Sequence, residues 1–301
     1  MEEHVLRAGK EISNSANARL RRAKFLYQEL IEMLDRWRST EPLTVRRVYG
    51  TNERTLDIYA SLEPTLDLDA VGVVYGDLLH NLWSSHENLF HDILKLPGVS
   101  PSSGNHYFPA CSTEKGWENF AKRYQDIPPV LLERIRRLQP YTDKRIDGTT
   151  DERYIKSSAT YAMRGENNAY KHKSVAECII LRHEFYAGPT RWQGGEPTFW
   201  EASPDSDPFI DEPFRTMSVS NGGRILAYPI GVGVQVCVRN PVTGDLEPLV
   251  QSAATAVSQA DFNIKAVCMG FDAARIMAEM VDGLDSIWYD ASVLSSGDGY
   301  Q

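Results

Sequence analysis

The sequence is poor in the features that mark secreted, membrane-spanning or nucleic-acid-coating proteins. Its 301 residues hold only four cysteines. These are Cys111, Cys178, Cys237 and Cys268, far apart, with no C-x-x-C pair and three of them in apolar runs. That spacing excludes a disulfide framework and reads as buried thiols in a reducing, cytoplasmic setting. The opening MEEHVLRAGKEIS has no apolar h-region, and no stretch approaches 18 uninterrupted apolar residues, so neither secretion nor membrane spanning is expected. Positive charge is also short. With Lys and Arg at 32 against Asp and Glu at 41, the formal net charge of -9 argues against coating DNA or an anionic membrane by bulk electrostatics. A local basic groove stays open. Internal repeats, heptad arrays, HExxH and paired-cysteine metal motifs are all missing. What is present is a chain 42% hydrophobic and 24% charged, enough to bury a real core in one large domain or two smaller ones.

Residues 3–38 carry Ile12, Ala16, Ala23, Leu26, Leu30, Met33 and Trp37 at helical spacing, with basic residues including Arg19, Arg21, Arg22 and Lys24 on a solvated face. Residues 45–62 alternate around Gly50-Thr51-Asn52, which predicts a β-hairpin. Helix resumes near Leu68 and stops at Pro97-Gly98. Residues 114–138 read as helix broken or kinked at Pro128-Pro129, and another helix is expected over 151–173. From 175 the pattern changes to strand. Residues 188–214 hold five prolines and three glycines, which predicts a long surface loop, and 217–240 reads as a β-meander. Helix returns over 259–290, with 295–301 as a tail. The expected architecture is α+β. Residues 1–174 form a mainly helical domain containing the hairpin, and residues 175–294 an antiparallel β-rich region closed by a final helix.

The segment GDLLHNLWSSHENLFHDILKLPG, residues 76–98, holds three of the seven histidines. On a helical wheel Leu78, Leu82, Trp83, Leu89, Phe90 and Ile93 fill one arc with His86 in its middle, so His86 is a core histidine. The opposite arc carries Asp77, His80, Asn81, Ser84, Asn88, His91 and Asp92. Solvated faces are usually filled by better helix formers than Asn, Ser, Asp and His. Two readings fit: a polar seam buried against another helix, or a site. His80 and His91 lie three turns apart, about 16 Å, too far to share one ion, and no metal is expected.

A second constellation is YAMRGENNAYKHK, residues 161–173. Arg164, Asn168 and Lys171 fall on one face, with His172 one turn beyond Asn168, and Gly165 weakens the helix between them. Arg and Lys supply charge for an anion and His titrates near neutral pH. A basic helix C-terminus complementing its own dipole reads equally well.

Together, Gly76-Asp77-Leu78-Leu79-His80-Asn81-Leu82, Phe108-Pro109, Gln139-Pro140-Tyr141 and Asn167-Asn168-Ala169-Tyr170-Lys171-His172 resemble a group of uncharacterised bacterial and phage proteins. Members of that group show G-D-x-x-H-N-L-R-x-x-L-D-H, F-P and N-N-x-x-K-H-R. The resemblance covers roughly residues 70–175. More distantly, the group's Arg and His helix resembles HEPN domains, helical modules that include metal-independent ribonucleases. What this implies is a HEPN-like helical core, a homodimer, and a place in bacterial defence or phage counter-defence. Here Trp83 stands where the group has Arg, and Asn88 where it has His.

Two functions follow. The favoured one is a non-catalytic module that binds a nucleotide, RNA or a protein partner through Asp77, Asn81, Arg164, Asn168 and Lys171, without a cofactor. The alternative is a metal-independent ribonuclease with His80 and His172 as general acid and base. The Ile12–Trp37 stripe offers a surface on which two copies could pair.

Overall fold

A computed structural model describes residues 2–96, 98–100, 103–142, 159–172, 175–186, 189–201, 213–220 and 222–270. The side chains at 2–13, 159, 161–162, 171–172, 183–186 and 201 lie outside that description. The expected 295–301 tail and residues 271–294 lie outside it as well.

The first helix, α1 (Glu2–Arg38), packs chiefly on α2 (Leu68–Leu94). Ala16, Leu20, Ala23, Leu26, Leu30, Leu34 and Trp37 recur every three or four residues and are all at most 6% exposed. The two alanines let the helices approach closely. Each fully buried leucine contributes about 1.5–3 kcal/mol. The stripe expected to pair two copies is therefore covered, over residues 16–37, by α2 of the same chain. Lys24 adds an ion pair to Asp261 on a further helix, α6, which occupies residues 249–270.

Between α1 and α2 runs the expected hairpin, β1 (Leu43–Tyr49) and β2 (Thr55–Leu62), in register from Leu43↔Leu62 to Tyr49↔Leu56. On β2, Leu56, Ile58, Ala60 and Leu62 alternate inward, the period-two pattern that fixes which face is buried. The α2 helix starts where the Asp67 carboxylate accepts the Ala70 amide at 2.9 Å. The Pro128-Pro129 pair breaks the expected 114–138 helix outright. One half is α3 (Glu114–Arg123), capped by Thr113, and the other is α4 (Pro129–Arg137), with proline at its first position. The next helix is α5 (Ala159–His172), and residues 151–158 of the expected helix lie outside the described residues.

Beyond residue 175 the strands are β3 (Cys178–Tyr186), β4 (Arg191–Gln193), β5 (Pro197–Glu201), β6 (Arg215–Val219), β7 (Arg224–Ala227), β8 (Ile230–Arg239) and β9 (Leu246–Pro248). They form antiparallel sheets in the orders β1-β2-β6-β5, β3-β8-β9 and β4-β7. Four expectations need correction. The 188–214 stretch is not wholly loop, because β4 and β5 lie in it. Its prolines and glycines mark strand ends: Pro197 opens β5, an edge strand that does not need its N–H in the ladder. The 217–240 meander is split among three sheets, since turn residues show where a strand stops but not which strand it pairs with. Most consequential, β6 pairs with β2 from Thr55↔Ser218 to Ile58↔Arg215. Residue 174 is therefore no boundary between cores. One hydrophobic cluster runs from Ala16 to Val267, and the other joins Leu56, Ile58 and Ala60 to Phe214, Met217 and Ile230. The overall α+β class holds, with six helices and antiparallel sheets among the described residues. The final helix begins at 249, ten residues before its expected start.

Candidate functional site

The apolar arc of α2 is buried as its spacing predicts, with Leu82, His86 and Leu89 at 0% and Trp83 at 3% exposure. The Trp83 ring stacks on His86, and Phe108 of the Phe108-Pro109 motif meets His86 edge-on with centroids 5.0 Å apart. His86 Nδ1 lies 2.9 Å from the Leu82 carbonyl, which can only accept, so Nδ1 carries the proton. Nε2 then accepts from Asn263 Nδ2 at 3.1 Å. Asn263 also donates to Thr160 Oγ1 at 3.2 Å and accepts from Gln259 at 2.7 Å. Burial pulls the imidazole down to about pKa 4, so the ring is neutral and joins α2, α5 and α6. The Gln139-Pro140-Tyr141 motif is likewise structural on its buried side: Gln139 donates to the Ile135 carbonyl and accepts from the Cys111 amide, both at 2.9 Å.

The polar arc of α2 is divided between two neighbours. Toward α1, Asn81 accepts from Arg19 at 3.3 Å and donates to the Asp77 carbonyl at 2.8 Å, and Asp92 accepts from Ser15 at 3.1 Å. Toward α5, half-buried His80 donates from Nδ1 to Asn167 Oδ1 at 3.1 Å. Gly76 lies close to Tyr170 Cβ, so the two motif helices do meet. They meet as a seam. The Asp77 side chain is exposed and Asn81 faces α1. Arg164 is exposed and donates to the Ala110 carbonyl at 3.3 Å, and Asn168 is exposed one turn further on. The side chains of Lys171 and His172 lie outside the described residues. Of the residues expected to converge, only His80 is tied to α5, through the neighbouring Asn167.

The convergent polar groups lie on the other side of α5. A cavity of about 340 Å³ opens between α5, the turn joining β8 to β9, and the first turns of α6. Glu166 and Met163 line it from α5, Asn240, Asp245 and Glu247 from the strands and turn, and Ser252 from α6. Two local features place these walls. Gly165 has no side chain because Val242 of the turn sits where its Cβ would be. Asn240 folds that turn by accepting the amides of Val242 and Thr243 at 2.9 and 3.2 Å while donating to Glu247 at 2.9 Å.

A chain of hydrogen bonds crosses the inner wall. Tyr75 Oη lies 3.2 Å from Glu166 Oε2 and 3.0 Å from Ser252 Oγ, and Ser252 Oγ lies 3.0 Å from Glu247 Oε2. Three oxygen–oxygen gaps need three hydrogens, yet with both carboxyls ionised the two hydroxyls supply only two. With both carboxyls ionised, Tyr75 donates to Glu166 and Ser252 to Glu247; one added proton on the pair would fill every gap, with Glu166 then donating to Tyr75 and Tyr75 to Ser252. Glu247 also accepts from Asn240 at 2.9 Å. Burial and the nearby Glu247 charge hold Glu166 up at about pKa 7, in keeping with that count. Burial also raises the Tyr75 hydroxyl well above its ordinary range.

In YAMRGENNAYKHK the basic face of Arg164, Asn168 and Lys171 dominates the pattern, and Glu166 lies on the opposite side of the helix. A signal was available: Met163, Glu166, Asn167 and Tyr170 follow the inward helical period, and a carboxylate on a buried stripe needs a reason. Tyr75, Ser252 and Glu247 carried no such signal. Comparison of the chain with protein-family models, curated proteins and solved structures finds no match.

Proposed function

We propose that the protein is a non-catalytic binding module whose ligand enters the cavity between α5, the β8–β9 turn and α6. The observation that carries this reading is the convergence of Glu166, Asn240, Glu247 and Ser252, from separate elements, on one cavity of about 340 Å³, at the small end of ligand pockets. Among the described residues no Lys or Arg lines it and three carboxylate side chains do, so a phosphate is disfavoured there. Screening amines, alcohols, polyols, nucleotides and short RNA by thermal shift tests the reading, beside Thr255→Trp, which fills the cavity from its rim. A stabilising compound whose effect disappears in Thr255→Trp is expected. A panel with no active compound, or binding untouched by the blocked rim, overturns it.

The nucleotide or RNA ligand suggested by the sequence has a different location in its favour. Arg164 and Asn168 are both exposed, one turn apart, on the outer face of α5. Nucleotide or RNA retention lost in Arg164→Ala and kept in Thr255→Trp would favour that face over the cavity.

A further inference from the structure

Resting on the cavity reading above, we propose that the cavity binds a small organic ammonium ion, and that this ion enters in exchange for the proton shared by Glu166 and Glu247.

Glu166 is 5% exposed, lines the cavity, and has one oxygen, Oε1, without a hydrogen-bond partner among the described residues. A largely buried carboxyl whose free oxygen has no cation beside it among the described residues is an incomplete pairing. The groups that bear on its charge are Glu247 on β9 and Tyr75 on α2. Tyr170, one turn along α5, senses the same two carboxylates, and Asp245 lies in the turn on the cavity wall. Arg239 at the end of β8, beside Asn240 of the cavity wall, is engaged by Glu177 at 3.1 Å and by the Gly244 carbonyl at 3.0 Å. Among the described residues the wall is thus acidic, and the positive charge that would complete it is a bound cation or a proton.

The hydrogen count links those two choices. When the shared proton leaves, the Glu166–Tyr75–Ser252–Glu247 chain is one hydrogen short and the pair carries two negative charges. An ammonium group brings one positive charge and N–H donors aimed at carboxylate and hydroxyl oxygens. One proton goes to solvent as one cation enters, so the net charge of the Glu166–Glu247 pair with its counter-charge is unchanged. An organic cation fits better than a metal ion. The cavity is far larger than an ion, and Met163, Pro248 and Ala256 give it apolar wall for a carbon body. Among the described residues no group of three or more His, Cys, Asp or Glu could hold a metal.

The test is calorimetric titration of the full chain with butylammonium, 1,4-diaminobutane and choline, beside butanol and 1,4-butanediol as matched neutral compounds. Titrations at pH 6 and 8.5 use buffers of different ionisation enthalpy, which counts protons. At least one amine is expected to bind, with up to one proton released at pH 6 and almost none at 8.5. Affinity should rise about tenfold per pH unit below 7 and level above it. In Glu166→Gln the amine should bind more weakly, with no proton release and no pH dependence. Thr255→Trp should bind nothing. Absence of binding by all three amines, amine binding without proton release at pH 6, or an unchanged pH profile in Glu166→Gln each overturns the exchange. Neutral compounds binding as well as the amines, and lost in Thr255→Trp, would overturn the cation while leaving the cavity as a binding site.

Discussion

At the scale of single residues, α2 shows how one helix carries two kinds of polar group. His86 is enclosed by Trp83, Phe108 and Asn263, and is held neutral. Trp83 also donates from Nε1 to Glu87 at 2.9 Å. Trp83→Ala leaves an aromatic-sized void beside His86 and should cost about 3–5 kcal/mol by urea denaturation. A loss under 1 kcal/mol would mean the ring is not packed as described. His86 and Glu166 give opposite pH dependences. The His86 pKa falls from 6.5 to about 4 on folding, so its contribution is complete above 6.5 and is lost as pH falls toward 4. The Glu166 pKa rises from 4.5 to about 7, so its contribution is complete below 4.5 and is lost as pH rises through 7. Each amounts to about 3 kcal/mol. Glu166→Gln should therefore gain about that much relative to the parent between pH 4.5 and pH 8, while the acid limb to which His86 contributes remains. A difference between the two proteins that does not change with pH would show that Glu166 is not held protonated.

Among elements, the close approach of α5 to the β8–β9 turn decides the shape of the cavity. Gly165 weakens α5 by about 1 kcal/mol relative to alanine, yet an alanine there meets Val242. Gly165→Ala should destabilise the protein, and adding Val242→Ala should recover most of the loss, because the second change removes the methyl in the way. Stability that is additive across the two substitutions would refute the contact. This pairing also shows why legibility stops where it does. Gly165 was visible as a weak point in a helix, but its reason lies 77 residues along the chain. The α2 wheel was readable because a helix 27 residues long averages out single exceptions, whereas β4 and β9, three residues each, carry no period.

For the whole molecule, the β1-β2-β6-β5 sheet ties the first quarter of the chain to residues beyond 197. A fragment ending at residue 174 would lack β6 and expose Leu56, Ile58 and Ala60, which that strand and its neighbours cover. It should lose cooperative unfolding of the hairpin region. Cooperative melting of residues 1–174 with full hairpin protection from hydrogen exchange would contradict the shared core. Among the described residues no helix is long and apolar enough to cross a membrane.

Local pattern alone determined the helices α1 and α2 with their buried stripes, the break at Pro128-Pro129, the hairpin turn, the core place of His86 and the mixed α+β class. Those properties follow from periods and turn chemistry that act over a few residues. Tertiary structure decided which strands pair, which neighbour each polar residue of α2 faces, and that Tyr75, Glu166, Glu247 and Ser252 form one hydrogen-bonded chain. The physical reason is that strand pairing and this hydrogen-bonded chain depend on distances of about 3 Å between groups up to 177 residues apart, and no local periodicity encodes such a distance.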